Sequence, residues 1–286
     1  MDEGFRITVF TDPMSLWGWA MEPAIRKIGY LSDGGVAVEY VLGLPNPNTY
    51  SMIGEGQMSH VRMADWRRST LDEYMHAMSR TDVPLSMKHI RECETSALDS
   101  QVPSVAYHAV KLASPDMADV FFRKLMESYH ANDLDISKQE ILDAIAENIG
   151  TDMEAYRRAL VDGSAADSLA SDVERCKASG ISSFPSLLVE GCGRSMVVSG
   201  YTDYRGIMLL LKEISGGRLN LQEPAPSFDN VERFIDEYGK VTTAEIKLLF
   251  GLTRKEMNNI LESIIRSRRY VSNERESGAF IRRIEW

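Results

Sequence analysis

Ser15-Leu16-Trp17-Gly18 lies where one residue periodicity gives way to another. Before it, Phe5 to Phe10 (FRITVF) reads as a strand, and Thr11-Asp12-Pro13-Met14 carries the chain out of that strand. After it, Trp19 to Ile28 (WAMEPAIRKI) reads as a helix. A strand running straight into a helix start presents free backbone N–H groups and the positive end of the helix dipole. Such a place suits an anion or a thiolate. No cysteine occupies it.

The flanks extend the pattern. Ser32-Asp33-Gly34-Gly35 is a turn cluster, and Val36 to Leu44 (VAVEYVLGL) reads as a second, largely buried strand. A β-α-β unit of this size with a right-handed crossover predicts two parallel neighbours. Pro45-Asn46-Pro47-Asn48 ends the strand. From about Ser59 to Gly180 the pattern is helical, with apolar residues three and four apart in Ser69–Ser79, Val102–Leu112, Met117–Tyr129 and Gln139–Asn148. Helix starts are expected at Ser114-Pro115-Asp116, at Ser137 with Glu140, and at Thr151 with Glu154. Ile181 to Glu190 reads as a strand entered through Pro185, Gly191-Cys192-Gly193-Arg194 as a tight turn, and Ser195 to Ser199 as the returning strand. Gly200-Tyr201-Thr202-Asp203-Tyr204 leads into a helix over Arg205–Ser215.

On these residues the chain resembles the DsbA branch of the thioredoxin-fold proteins, especially the FrnE-like oxidoreductases. Asp12-Pro13-Met14, Trp19-Ala20 and Glu22-Pro23 match that family's first strand and helix. Gly180-Ile181-Ser182-Ser183-Phe184-Pro185-Ser186 matches its cis-proline loop, with Ser183 where a glycine is usual. Gly200-Tyr201 and Tyr204 match the approach to its last helix. The likeness covers about residues 5 to 216. It implies an α/β chain with a thioredoxin fold over residues 1–217, carrying a DsbA-type helical insertion over about 59–180.

In working members two cysteines stand at the helix start, one attacking and one resolving the mixed disulfide. Ser15 and Gly18 stand there instead, and neither performs those steps. The resemblance therefore implies a fold that has lost dithiol exchange and serves as a regulator or adaptor binding a thiol compound, a peptide or a protein. A second reading comes from the kappa-class glutathione transferases and 2-hydroxychromene-carboxylate isomerases. They resemble this chain in carrying serine at the first position, where it donates to a glutathione thiolate. They usually continue Ser-Pro-Tyr-Ser-Trp, whereas this chain has Ser15-Leu16-Trp17-Gly18-Trp19. On that reading Ser15 is the catalytic donor, and glutathione or another small thiol is the cofactor. Asp12, Met14, Trp17, Gly18, Trp19, Phe184 and Pro185 are the ligand-binding candidates. One of Trp17 and Trp19 is expected to pack inward and the other to line an apolar groove near Met21. Met75 and Met78, three apart, read as plain core.

Residues 218–227 form a linker by composition, and residues 228–286 look like a small winged helix-turn-helix domain. Helices are expected over Phe228–Tyr238, Thr243–Phe250 and Thr253–Arg268, capped at Thr242 and Thr253, followed by a hairpin from Tyr270 to Trp286. Arg254, Lys255, Asn258 and Asn259 open the third helix, the segment that enters the major groove in helix-turn-helix proteins, and Arg266, Arg268 and Arg269 close it. Arg282 and Arg283 fall on the hairpin. Arginine and asparagine suit phosphate and adenine contacts, which makes DNA a candidate partner beside a protein-docking role. From Ser227 onward 11 Lys/Arg face 10 Asp/Glu, so the negative charge sits in the remainder.

The 286 residues are 44% hydrophobic and 26% charged, an ordinary globular balance. A net charge of −10 argues against a chain coated on nucleic acid. No apolar run is long enough to span a bilayer, and Met1-Asp2-Glu3-Gly4 does not open a secretory signal. Cys93, Cys176 and Cys192 are odd in number and widely spaced, which predicts reduced thiols and a cytoplasmic protein. Cys192 reads as an exposed turn residue. His89 and Cys93 share a helical face without further ligands, so no metal site is expected. Gly54-Glu55-Gly56 follows no strand and is too short for a phosphate loop. The sequence is compatible with a homodimer and does not fix the oligomeric state.

Overall fold

A computed structural model describes residues 4–44, 57–92, 99–219 and 221–284. β1 (Phe5–Thr11) is buried from Ile7 onward, because its valine, isoleucine and phenylalanine side chains meet packing on both faces. α1 (Leu16–Ser32) crosses over it and buries Trp19, Met21, Ala24, Ile25 and Ile28. β2 (Val36–Leu42) returns parallel to β1, with Phe5 opposite Val36 and Thr11 opposite Leu42. The Pro45–Asn48 loop and Gly54-Glu55-Gly56 lie outside the described residues.

The insertion is a block of helices: α2 (Gln57–Arg80), α3 (Lys88–Glu92), α4 (Gln101–Ala113), α5 (Ala118–Asn132), α6 (Gln139–Asn148), α7 (Met153–Val161) and α8 (Ser164–Ala178). Two expected caps are replaced. Ser137 turns its hydroxyl to Asp135 at 2.6 Å, leaving Lys138 before α6 without a side-chain cap. Asp152, not Thr151, caps α7 by accepting the Glu154 and Ala155 N–H groups. Pro115 opens a short 3₁₀ turn ahead of α5 rather than the helix itself.

β3 (Ser186–Gly191) runs antiparallel to β1, and β4 (Arg194–Ser199) pairs antiparallel with β3, giving the order β2-β1-β3-β4. The strand begins at Ser186 rather than Ile181, the residues before it bending away from the sheet, and the Phe184–Pro185 peptide is cis. Cys192 and Gly193 both adopt positive φ, the geometry that a two-residue hairpin needs to match strand twist. α9 (Tyr204–Ser215) then packs on this sheet, capped by Asp203 on the Gly206 N–H.

The last residues form α10 (Phe228–Tyr238), β5 (Lys240–Thr242), α11 (Thr243–Leu249), α12 (Arg254–Arg266), β6 (Tyr270–Glu274) and β7 (Ala279–Arg283). Their sheet has the order β5-β7-β6. Thr242 and Thr253 each make a complete capping box, with Glu245 and Glu256 answering three residues on. A cluster of Val231, Phe234, Ile235, Ile246, Leu249 and Ile281 fills the space between these elements.

This unit is seated on the rest of the chain. Phe280 and Ala244 belong to the main core, while Tyr30 and Leu31 of α1 pack into the smaller cluster. Arg123 lies between Glu22 at 3.6 Å and Glu245 at 2.8 Å, and Arg26 reaches Glu245 at 3.2 Å. Lys27, almost fully buried, donates to Glu223 at 2.5 Å and to the Leu248 carbonyl at 2.8 Å. The tip of the β6–β7 hairpin grips the insertion. Leu85 and Ser277 form an antiparallel bridge, and Arg275 donates to the Ala131 carbonyl and the Asn132 side chain, both at 2.6 Å.

Gly278 makes that grip sterically feasible. Its φ is +62°, and a Cβ there would stand 2.2 Å from the Asp82 carbonyl oxygen. Gly278→Ala is expected to cost about 1–3 kcal/mol through strain and displaced backbone. Urea denaturation checks this; an unchanged midpoint would contradict it. Among the described residues no helix is long and apolar enough to cross a membrane.

Candidate functional site

At the start of α1, Ser15 is the N-cap, with extended backbone and its Oγ accepting the Gly18 N–H at 3.1 Å. Its own N–H donates to the Asp12 carbonyl at 3.0 Å. The hydroxyl oxygen thus satisfies one of the helix's free donors, while its proton remains available to a ligand. Gly18 faces inward. A Cβ there would lie 2.5 Å from Thr11 Oγ1 and 3.1 Å from the Ser15 side chain. Thr11 is itself sealed, so a side chain at position 18 has no room unless Thr11 moves.

Asp12 supports this turn from below. Its Oδ1 accepts the Met14 N–H at 2.8 Å, and its Oδ2 is buried without a hydrogen-bond partner. Burial pushes its pKa up to about 6, with nearby Asp99 adding to the rise and the Ser100 hydroxyl and Met14 N–H opposing it.

These residues open on a cleft of about 350 Å³. Asp12, Met14, Ser15, Leu16 and Trp17 form one wall, and Phe184, just before the cis proline, another. The Phe184 ring lies so close to Gly43 that any side chain at that position would displace it. Pro185 itself does not line the cleft; its carbonyl accepts the Gly200 N–H at 2.8 Å. The insertion supplies the remaining wall through Trp66, Glu73, Tyr74, Ile90 and Tyr129.

The two tryptophans divide their roles. Trp17 lines the cleft, donates its indole N–H to Glu73 at 2.9 Å, and packs against Tyr201. Trp19 turns the other way, which corrects its assignment to ligand contact. It is fully buried, donates to the Pro84 carbonyl at 2.9 Å and packs beside Phe280. Met21 is likewise core, and Met75 is exposed rather than buried.

A row of polar groups that the sequence did not disclose runs behind Ser15. Asp133 Oδ1 lies 3.2 Å from His89 Nδ1, and the Tyr74 hydroxyl lies 3.4 Å from His89 Nε2 and 2.7 Å from His130 Nδ1. The Ser15 backbone is the further polar neighbour of His130. Burial lowers the pKa of both histidines, most for His130, so neutral rings sit under the cap. His89 is therefore engaged with Asp133 and Tyr74; Cys93 lies outside the described residues. Cys176 is buried beside Phe10, Val41 and Ile181, its thiol pushed up to about 11 by burial. Cys192 sits in the β3–β4 turn.

On the C-terminal unit, Arg254, Lys255, Asn258 and Asn259 are exposed on α12. Arg266 pairs with Glu262, Arg269 with Glu232, and Arg283 with Asp236. The β6–β7 tip packs against the insertion.

Comparison with known proteins agrees with this architecture. Residues 8–207 match a family described as Thioredoxin. The ClpXP adapter protein SpxH of Halalkalibacterium halodurans is 23% identical over 98% of this chain and 89% of its own length. A putative protein disulfide isomerase from Nitrosomonas europaea superposes with a TM-score of 0.63 at 20% identity, covering 76% of this chain and all of its own. A probable DsbA oxidoreductase from Streptomyces coelicolor gives 0.52 at 15% identity over 77% of this chain and 94% of its own. At these identities the two structures speak for the fold alone.

Proposed function

The chain belongs to the thioredoxin family, and we propose that within it this protein is an adapter whose cleft beside Ser15 holds a segment of another protein without dithiol exchange. The observation that carries this reading is the filled seat of the absent sulfurs. Ser15 caps the helix where a thiolate would sit, and the Thr11 side chain takes the space a second cysteine would need. On this reading Ser15 and Gly18 are the degenerate remnant of a Cys-x-x-Cys motif. Asp12, Met14, Trp17 and Phe184 touch the partner, while Gly18 and Pro185 shape the backbone around it. The adapter role draws further support from the relative named a ClpXP adapter, which aligns with nearly the whole chain. We take the protein to be cytoplasmic on the same ground.

We read the C-terminal helices and hairpin as a winged helix-turn-helix used for docking rather than for duplex DNA. Its hairpin tip is spent on the insertion, and Arg266, Arg269 and Arg283 face carboxylates. Phosphate contacts need such cations free. Residues 218–227 then act as a strap, pinned at Glu223 by Lys27.

Size-exclusion chromatography of the full chain with purified ClpXP tests the adapter reading, which expects a shared peak. Separate peaks at tens of micromolar would remove it. The remaining reading is a glutathione-dependent transferase or isomerase, favoured by the Ser15 hydroxyl proton that the cap leaves free. It expects glutathione to raise the melting temperature and Ser15→Ala to abolish the rise.

A further inference from the structure

We propose that the cleft beside Ser15 receives a lysine or arginine side chain carried on an extended segment of the protein partner. This rests on the adapter reading and names the chemistry of what enters the groove. Among the described residues, the charged side chains lining the cleft are Asp12 and Glu73, both acidic. Two acids alone would carry little. Asp12, however, is 3% exposed, and its Oδ2 has no hydrogen-bond partner. With only the Met14 N–H and the neutral Ser100 hydroxyl beside it, this buried carboxylate on a cleft wall carries a charge that nothing among the described cleft residues offsets, and a cationic donor meets it best.

Glu73 supplies the second element. It accepts the Trp17 indole N–H at 2.9 Å, so the carboxylate and the ring are fixed side by side, and Trp66 lines the same cleft. An aromatic face beside a carboxylate is a favourable seat for an ammonium or guanidinium group. Met14, Leu16 and Phe184 offer apolar surface for its methylene stem. The surrounding field points the same way. Asp99 adds negative charge near Asp12, and burial keeps His89 and His130 neutral. Arg80 stands over Tyr201 and His76 at the edge of Trp17, and neither lines the cleft. Glutathione, with two carboxylates to one ammonium, fits this lining poorly.

Four probes test the proposal by isothermal titration against the full chain. They are the peptide acetyl-Ala-Leu-Lys-Leu-Ala-amide, its norleucine and glutamate analogues at the central position, and glutathione. The lysine peptide is expected to bind about tenfold more tightly than the norleucine peptide, and the other two more weakly still. Glu73→Gln, at an exposed position, and Asp12→Asn are each expected to reduce the lysine preference and together to abolish it. Equal binding of the lysine and norleucine peptides would overturn the charge selection while leaving a peptide groove in place. Failure of all three peptides at millimolar concentration would overturn the groove itself. Tightest binding by glutathione would overturn both in favour of a small-thiol site.

Discussion

Arg123→Ala is expected to destabilise the protein by about 3–5 kcal/mol, more than any other single truncation of a charged side chain discussed above. The guanidinium is the shared counter-charge of Glu22 and Glu245, whose side chains are 8% and 1% exposed. Burial raises the Glu22 pKa, and Arg123 is the leading influence that opposes it. Removing the cation leaves Glu22 and Glu245, both largely buried, to share Arg26 alone, which reaches Glu245 at 3.2 Å. The pair belongs to different parts of the chain: Glu22 to α1, Glu245 to the capping box of α11. The loss is therefore expected in both parts at once, as a single shifted transition in urea followed by tryptophan fluorescence and by far-ultraviolet circular dichroism. A loss below about 1 kcal/mol would show that the network is peripheral to stability.

Asp12→Asn is expected to act in the opposite direction. A carboxyl whose pKa is 3.8 in the unfolded chain and about 6 in the folded one binds its proton more tightly when folded. Stability from this group is therefore fully present below pH 4 and is lost as pH rises toward 6. Above that the penalty is constant at about 3 kcal/mol. Asparagine carries no such penalty and still offers an oxygen to the Met14 N–H. The variant should match the parent near pH 4 and exceed it by about 2–3 kcal/mol at pH 7.5. A variant less stable than the parent at pH 7.5 would contradict this. Stability given up at a cleft wall is the pattern of a residue kept for what it binds.

The sequence disclosed local features well. The β1–α1–β2 unit and the N-caps at Thr242 and Thr253 follow from spacing over fewer than ten residues at each signal, whereas the loop around Pro185 was legible only through the family resemblance. Ser137 and Thr151 misled because of a neighbouring aspartate: Asp135 accepts the Ser137 hydroxyl and N–H, and Asp152 takes the helix N–H groups that Thr151 would cap. Half of the cleft could not be read. Trp66, Glu73 and Tyr74 lie on an α2 surface whose polar residues look like an ordinary solvated face, and only tertiary packing turns them toward Ser15. The row from Asp133 to His130 joins α2, α3 and α5 across separations of up to 56 residues, beyond any periodicity. The seating of the C-terminal unit was equally hidden. It depends on Lys27, Arg123 and Gly278, residues whose partners stand from about a hundred to 221 positions away.

The central claim is that the fold retains its binding cleft without the sulfur chemistry. The most direct measurement is reduction of insulin by the full chain with dithiothreitol as electron donor, alongside the Cys93→Ser variant. The account predicts a rate for both proteins equal to that of dithiothreitol alone. Catalysed turnover by the parent that disappears in Cys93→Ser would contradict it, since a thiol would then be serving the seat that Ser15 occupies.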